Sequence, residues 1–178
     1  MPKLFINPLG ILKKIDLKKG TRVADFGCGA GAWAIPAGKI VGNSGKIYAL
    51  DILEYMLEIT ANKAQKENLK NIETIKADIE RPLDENKIKP HSCDLVIISN
   101  ILFQVGNKEK ILENAQKLIK KDGRVLVVDW QKDSLFGPEK KLRVSKEKVK
   151  RLAKEKGMIL AKEIDAGYFH YGLLFKNK

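Results

Sequence analysis

At 178 residues with 44% hydrophobic side chains, the chain is long enough to bury one core and too short for two, so a single domain over residues 1–178 is expected. Its 34 Lys and Arg against 22 Asp and Glu give a formal charge of +12, enough to draw polyanions without saying where. Nothing reads as a signal peptide or a membrane span, and Cys28 and Cys93 form neither a metal-binding spacing nor a disulfide framework, which fits a reducing cytoplasm.

In chain order, Leu4 to Ile15 reads as a short helix with Phe5 and Ile6 on its apolar face. Val23 to Phe26 reads as a buried strand running directly into Gly27-Cys28-Gly29-Ala30-Gly31. Glycine has no Cβ, so such a turn can take unusual backbone angles and let a ligand lie against the main chain; the same glycines can also serve as a plain turn. A helix from Ala32 to Val41 follows, with Pro36 near its unpaired first turn, and Gly42-Asn43-Ser44-Gly45 stops it. The second strand, Lys46 to Leu50, ends in Asp51, twenty residues past Gly31. An acid there can accept both hydroxyls of a ribose, a spacing shared with NAD sites that does not say which nucleoside carries it.

Leu53, Met56, Leu57 and Ala64 mark a second helix, after which the third strand, Ile72 to Ala77, ends in Asp78. The fourth strand, Asp94 to Ser99, ends in Asn100. Ile111, Leu112, Ala115, Leu118 and Ile119 then repeat at helical spacing behind Asn107 as N-cap. Gly123 to Trp130 is the fifth strand, Ser145 to Lys156 the last helix, closed by Gly157, and Met158 to Ile164 with Phe169 to Phe175 two closing strands. Strands alternating with helices predict an α/β fold with helices on both faces of a sheet. Polar tips at Asp51, Asp78 and Asn100 mark the carboxyl edge, where open parallel sheets bind ligands. The irregular stretches Ile79 to Ser92 and Gln131 to Arg143 should border that edge.

The whole order resembles the class I S-adenosylmethionine-dependent methyltransferases, from about Gly20 to Lys176. The glycine motif is Asp25-Phe26-Gly27-Cys28-Gly29-Ala30-Gly31, the ribose acid Asp51, the adenine acid Asp78 followed by Ile79. The fourth motif is Asp94-Leu95-Val96-Ile97-Ile98-Ser99-Asn100, and the fifth strand Gly123 to Trp130. The resemblance implies a Rossmann-like, doubly wound sheet, mostly parallel with an antiparallel last strand. It implies S-adenosyl-L-methionine as cofactor, with S-adenosyl-L-homocysteine released, held by Asp25, Gly27, Cys28, Gly29, Gly31, Asp51, Ile52, Asp78, Ile79 and Asn100. It further implies that residues 1–19 form a lid over the pocket and residues 20–178 the core. A short-chain dehydrogenase is disfavoured, because none of Tyr48, Tyr55, Tyr168 and Tyr171 has a lysine four residues later.

For the acceptor side, Phe103, Gln104, Trp130 and Tyr168 are pocket candidates, each of which could equally be a packing residue. With the last strand antiparallel, His170 lies near the cofactor edge and is the candidate general base, against the plainer reading of a histidine satisfied within the sheet; His91 reads as exposed. No metal site is expected. Asn100 is followed by Ile101-Leu102-Phe103, not by the Pro-Pro-aromatic of enzymes that methylate exposed nucleobases, and two cysteines are too few to hold arsenic. The Asn100 to Val105 region resembles the branch that methylates quinone precursors and other small metabolites. A small-molecule acceptor is therefore expected, with the chain as monomer or homodimer. The opposing signal is charge: from Glu139 to Lys156 there are nine Lys or Arg and three Glu, with Lys146, Lys150 and Lys154 on one helical face. That leaves an RNA methyltransferase, or a non-catalytic cofactor-binding module, as the alternatives.

Overall fold

The strands at the middle of the sheet are apolar on both faces, as strands covered by helices on each side must be. In the computed structural model, which describes residues 6–178, the elements are α1 (Pro8–Lys14), β1 (Arg22–Phe26), α2 (Ala34–Val41), β2 (Lys46–Asp51), α3 (Glu54–Lys66) and β3 (Ile72–Lys76). They continue with β4 (Cys93–Ser99), α4 (Lys108–Leu118), β5 (Ile119–Trp130), α5 (Lys146–Glu155), β6 (Met158–Asp165) and β7 (His170–Asn177). Seven strands form one sheet in the order β3-β2-β1-β4-β5-β7-β6. Every pairing from β3 through β5 is parallel; β7 runs antiparallel to both β5 and β6, so the reversal sits in the last strand.

Alternation along each strand divides the core in two. Ala24, Phe26, Val96, Ile98, Val125 and Val127 face α4 and α5, while Val23, Ile47, Leu95, Ile97, Leu126 and Val128 face α1 and α2. Chain order runs outward from β1 to β3 and then returns to β4 beside β1. The loops after β1 and β4 therefore diverge, and the crevice between them is the switch point at which such sheets bind ligands.

Several boundaries differ from the sequence reading for identifiable reasons. α2 starts at Ala34, after a turn through Trp33, which keeps Pro36 within the first turn. Ile119, expected on the α4 stripe, is the first residue of β5 and pairs with Cys93; the register shifts before Leu95, and a Cβ on Gly123 would stand 2.7 Å from the Ile119 Cβ. Leu53 precedes α3 and is 45% exposed, so Leu57, Thr60 and Ala64 form the buried stripe. The expected N-terminal helix exists as α1, capped by Asn7, whose Oδ1 accepts from the Gly10 N–H at 2.9 Å. Its Ile11 and Leu12 are built into the core with Ile15 and Leu17. Ile6 packs against the same cluster, and Phe5 lies outside the described residues. Among the described residues no helix is long and apolar enough to cross a membrane.

Candidate active site

β1 delivers the glycine turn to the switch point. Gly27, Gly29 and Gly31 all have positive φ (69°, 50° and 79°), where a side chain would be strained. At Gly27 the space is also closed, since a Cβ would lie 3.0 Å from Ile101 Cδ1 of the loop after β4. Gly29 is the opposite case: nothing stands within 4 Å of where its Cβ would be, so its backbone faces open space that a ligand can enter.

The turn is held from the side by β2 and α3. Asp51 Oδ2 accepts from the Gly29 N–H at 2.9 Å and Oδ1 from the Leu53 N–H at 3.0 Å; each oxygen keeps a lone pair for a further donor. Thr60 Oγ1 donates to the Gly29 carbonyl at 2.8 Å, and Lys63 Nζ to the Ala30 carbonyl at 2.8 Å. Thr60 and Lys63 escaped the sequence reading. The signal for Thr60 was present as a hydroxyl on the Leu57/Ala64 stripe, with nothing local to say which carbonyl it meets. Cys28 is buried within the turn, and burial pushes its thiol well above the ordinary range.

Beyond the turn lies a groove of about 190 Å³ lined by Gly27, Asp51, Ile52, Asp78, Ile79 and Gln104, among others. Ile52 is 57% exposed on one wall. On the other, Asp78 accepts from the Glu80 N–H at 3.0 Å and pairs with Arg81 at 3.2 Å. Two further residues hold that wall in place. Asn114 of α4, buried, donates to the carbonyls of Ile79 at 2.9 Å and Arg81 at 2.7 Å, while Glu80 accepts from the Asn107 N–H. Gln104, expected on the acceptor side, stands in this groove instead, because the turn after β4 folds it back so that its side-chain amide donates to the Asn100 carbonyl at 2.9 Å.

Buried acceptors without partners stand at the head of the crevice. Asp25 Oδ2 and Asn100 Oδ1 have no hydrogen-bond partner among the described residues. Burial pushes the Asp25 carboxyl up to about 7, the Asp51 charge adds to the rise, and the Ala34 N–H opposes it. Asn100 has φ 52°, its N–H donates to the Val128 carbonyl at 2.9 Å, and so the tip of β4 is fastened to β5. Asp129, fully buried, completes that tie by accepting from Leu102 at 3.1 Å and Trp130 at 2.8 Å; burial raises it to about 6 against those N–H groups.

On the β5–β7 side, Trp130 and His170 are opposite one another in register, with ring centroids 4.1 Å apart at 42°. Both His170 nitrogens are buried without a partner among the described residues, and burial pushes the imidazole down to about 4, so it is neutral near pH 7. Tyr168 is 67% exposed and lines a cavity of about 410 Å³ with Gln131, Lys132, Leu135, Tyr171 and the start of α5. Phe103 is half-buried after β4 and lines neither space. His91 is exposed, as expected. Of the Ile79 to Ser92 stretch, Ile79 and Glu80 border the groove, whereas Ile88 is buried in the core. The lysine row on α5 is partly occupied: Lys146, at 3.3 Å, and Lys150 both pair with Glu163 of β6. No group of metal-ligating side chains occurs among the described residues.

The methyltransferase domain family matches residues 17–172 of this sequence. The chain belongs to the S-adenosylmethionine-dependent methyltransferases. A solved methyltransferase of that type from Aquifex aeolicus is 26% identical and superposes with a TM-score of 0.87 over 96% of this chain and 89% of the other. Demethylmenaquinone methyltransferases from Oceanobacillus iheyensis and Bacillus mycoides are 30% and 28% identical over 127 residues. Those alignments cover 71% of this chain but 51% and 52% of the two relatives, so this methyltransferase spans about half the length of the curated relatives it matches. Its cofactor is S-adenosylmethionine, and the site fits that group on its own terms: an open glycine backbone, a carboxylate with spare acceptor capacity at the β2 tip, and two buried acceptors without partners suited to an ammonium.

Proposed function

We propose that this methyltransferase moves the methyl group of S-adenosylmethionine to a small-molecule acceptor of the aromatic, quinol-like class, working in the cytoplasm. The observation that carries the reading is the placement of the Tyr168 cavity on the same sheet edge as the glycine crevice, with the Trp130–His170 pair between β5 and β7 beside it. The demethylmenaquinone methyltransferase relatives support the acceptor class. In this reading Asp51 accepts the ribose hydroxyls, Asp78 and the Ile79 N–H take the adenine edge against Ile52, and Asp25 with Asn100 receives the amino-acid end.

When bound, the cofactor supplies a methyl group already activated on a sulfonium, so the chain's task is alignment, worth about 7–11 kcal/mol in well-oriented systems. Tyr168 offers a flat face for an aromatic acceptor, and Trp130, packed between Gly137 and His170, backs the wall beside it. His170, unprotonated at neutral pH, is the group able to accept a proton from an acceptor hydroxyl, although a basicity this low favours hydrogen-bond positioning over full deprotonation.

The test is methyl transfer from labelled S-adenosylmethionine to naphthoquinols, to a metabolite pool and to an RNA pool. Labelled quinol or metabolite is expected. Label in RNA alone would replace the reading with an RNA methyltransferase, a possibility kept open by the +12 charge. No label anywhere, with S-adenosylhomocysteine still bound, would leave a binding module.

A further inference from the structure

Among the described residues, six of the exposed large apolar side chains lie in the loops along the carboxyl edge of the sheet, and the most exposed stand together beside the Tyr168 cavity. Leu135 is 86% exposed, Phe136 65% and Tyr168 67%. A loop tip of this kind would ordinarily turn a leucine and a phenylalanine inward, since burial of each stabilises the fold. Here the loop is prevented from doing so. Arg143, itself buried, donates to the carbonyls of Ser134 at 2.6 Å and Pro138 at 2.7 Å; Ser134 Oγ donates to the Phe136 carbonyl at 2.8 Å. Gly137 lies so close to Trp130 that a Cβ would come within 2.5 Å of the indole. The scaffold thus fixes the backbone on both sides of Leu135 and holds the apolar tip out.

The surroundings are basic. From Gln131 to Lys156 there are ten Lys or Arg and four Asp or Glu. The two acids nearest the tip are matched locally, Asp133 by Lys140 at 2.6 Å and Glu139 by Lys141 at 2.8 Å, and Glu163 takes Lys146 and Lys150 of α5, so the excess positive charge beside the tip is carried by Lys132 and by Lys148 in the first turn of α5. Phe136 and Phe169 meet edge to face at 5.2 Å, and Tyr168 and Phe169 at 5.3 Å, which makes the tip a small aromatic platform. An ordered apolar tip carrying aromatics and backed by lysines matches the chemistry of a membrane interface, where aromatic rings sit at headgroup level and lysines meet anionic lipid.

We propose that this edge docks on an anionic lipid bilayer, with Leu135, Phe136 and Tyr168 entering the headgroup region and Lys132 and the Lys148 side chain at the start of α5 against the lipid phosphates. Docking would turn the Tyr168 cavity toward the bilayer. The inference does not depend on the acceptor reading, because lipid association is measured without cofactor or acceptor.

The experiment is co-sedimentation of the full chain with vesicles of phosphatidylcholine alone and of phosphatidylcholine mixed with phosphatidylglycerol. Binding to the mixed vesicles, weakened by added salt, is expected. The paired substitution Leu135→Ser and Phe136→Ser should lower the partition coefficient on the order of tenfold or more. The melting temperature should hold, since both side chains are exposed. Lys132→Gln with Lys148→Gln should remove part of the salt-dependent component. Absence of binding to mixed vesicles, or a Ser/Ser variant that partitions like the parent, would overturn the proposal. So would RNA binding without vesicle association, or a dimer abolished by the Ser/Ser change in a chain that ignores vesicles.

Discussion

The half of the sheet edge that we assign to the cofactor is a polar cradle fixed from within, whereas the half that we assign to the acceptor is braced but leaves its apolar groups exposed. The hydrogen bonds at Gly29 are short and internal: Asp51 and Thr60 reach it from neighbouring elements within 31 residues of chain. Around Leu135 the polar groups fix only the backbone, and the apolar side chains are left to solvent. A cradle whose geometry is set before the ligand arrives costs little to order on binding, which suits a cofactor common to a family. A surface whose apolar groups await an occupant suits partners that differ between members.

Breaking the cofactor half should produce the largest effect. Asp51→Ala removes two acceptors from the turn and, in our reading, two from the ribose, each charge-assisted bond being worth about 1.5–3 kcal/mol. Calorimetry should show S-adenosylhomocysteine affinity reduced at least about tenfold in a variant whose circular dichroism remains native. Affinity equal to the parent's would remove Asp51 from the site.

A subtler effect sharpens the same half through pH. Asp25 is pushed up to about 7, so below that pH its carboxyl is protonated and cannot receive an ammonium. S-adenosylhomocysteine binding should weaken by up to about tenfold per pH unit on descending from about 7, and Asp25→Asn should flatten the profile at the weaker level. The stability term has the opposite sign. A raised folded value means that the stability supplied by the neutral carboxyl is full below its ordinary range and is lost as pH rises through about 7. Apo melting temperature and ligand affinity should therefore move in opposite directions across neutrality.

The acceptor half can be broken without touching the cofactor. Arg143→Ala strands the carbonyls of Ser134 and Pro138, lowering stability by about 1–3 kcal/mol and letting the loop collapse. Acceptor KM should rise while S-adenosylhomocysteine affinity stays within about twofold of the parent. A parallel loss of both would show that the halves are not independent. His170→Ala should have the smallest effect on binding: cofactor affinity nearly unchanged, turnover reduced only where the acceptor must lose a proton, and the acid limb of the rate profile lost. Unchanged turnover and profile would return His170 to a packing role against Trp130.

Legibility in the sequence followed the same division. The strands and most of the helices could be read because each rests on local periodicity and glycine punctuation, the antiparallel last strand came only with the family resemblance, and the tips at Asp51, Asp78 and Asn100 followed from where strands end. The supports could not be read. Asn114 sits on a helix that periodicity explains completely, yet its amide reaches the carbonyls of Ile79 and Arg81, more than thirty residues away. The position of Gln104 in the groove beside Asp51 and Asp78 could not be read either, because the turn that folds it back follows Leu102, which the Asp129 carboxylate holds. The lysine row on α5 was visible as spacing, but its pairing with Glu163 depends on β6 lying alongside.

Because a single carboxylate at the β2 tip both buttresses the glycine turn and keeps lone pairs free for a ligand, occupancy of the site and stiffness of the turn are coupled through one side chain. The amide protons of Gly29 and Leu53, both given to Asp51, then become reporters of that coupling. Their hydrogen exchange should slow when S-adenosylhomocysteine binds, ahead of any change elsewhere in the sheet, and would give a site-resolved assay for ligands that need not be turned over.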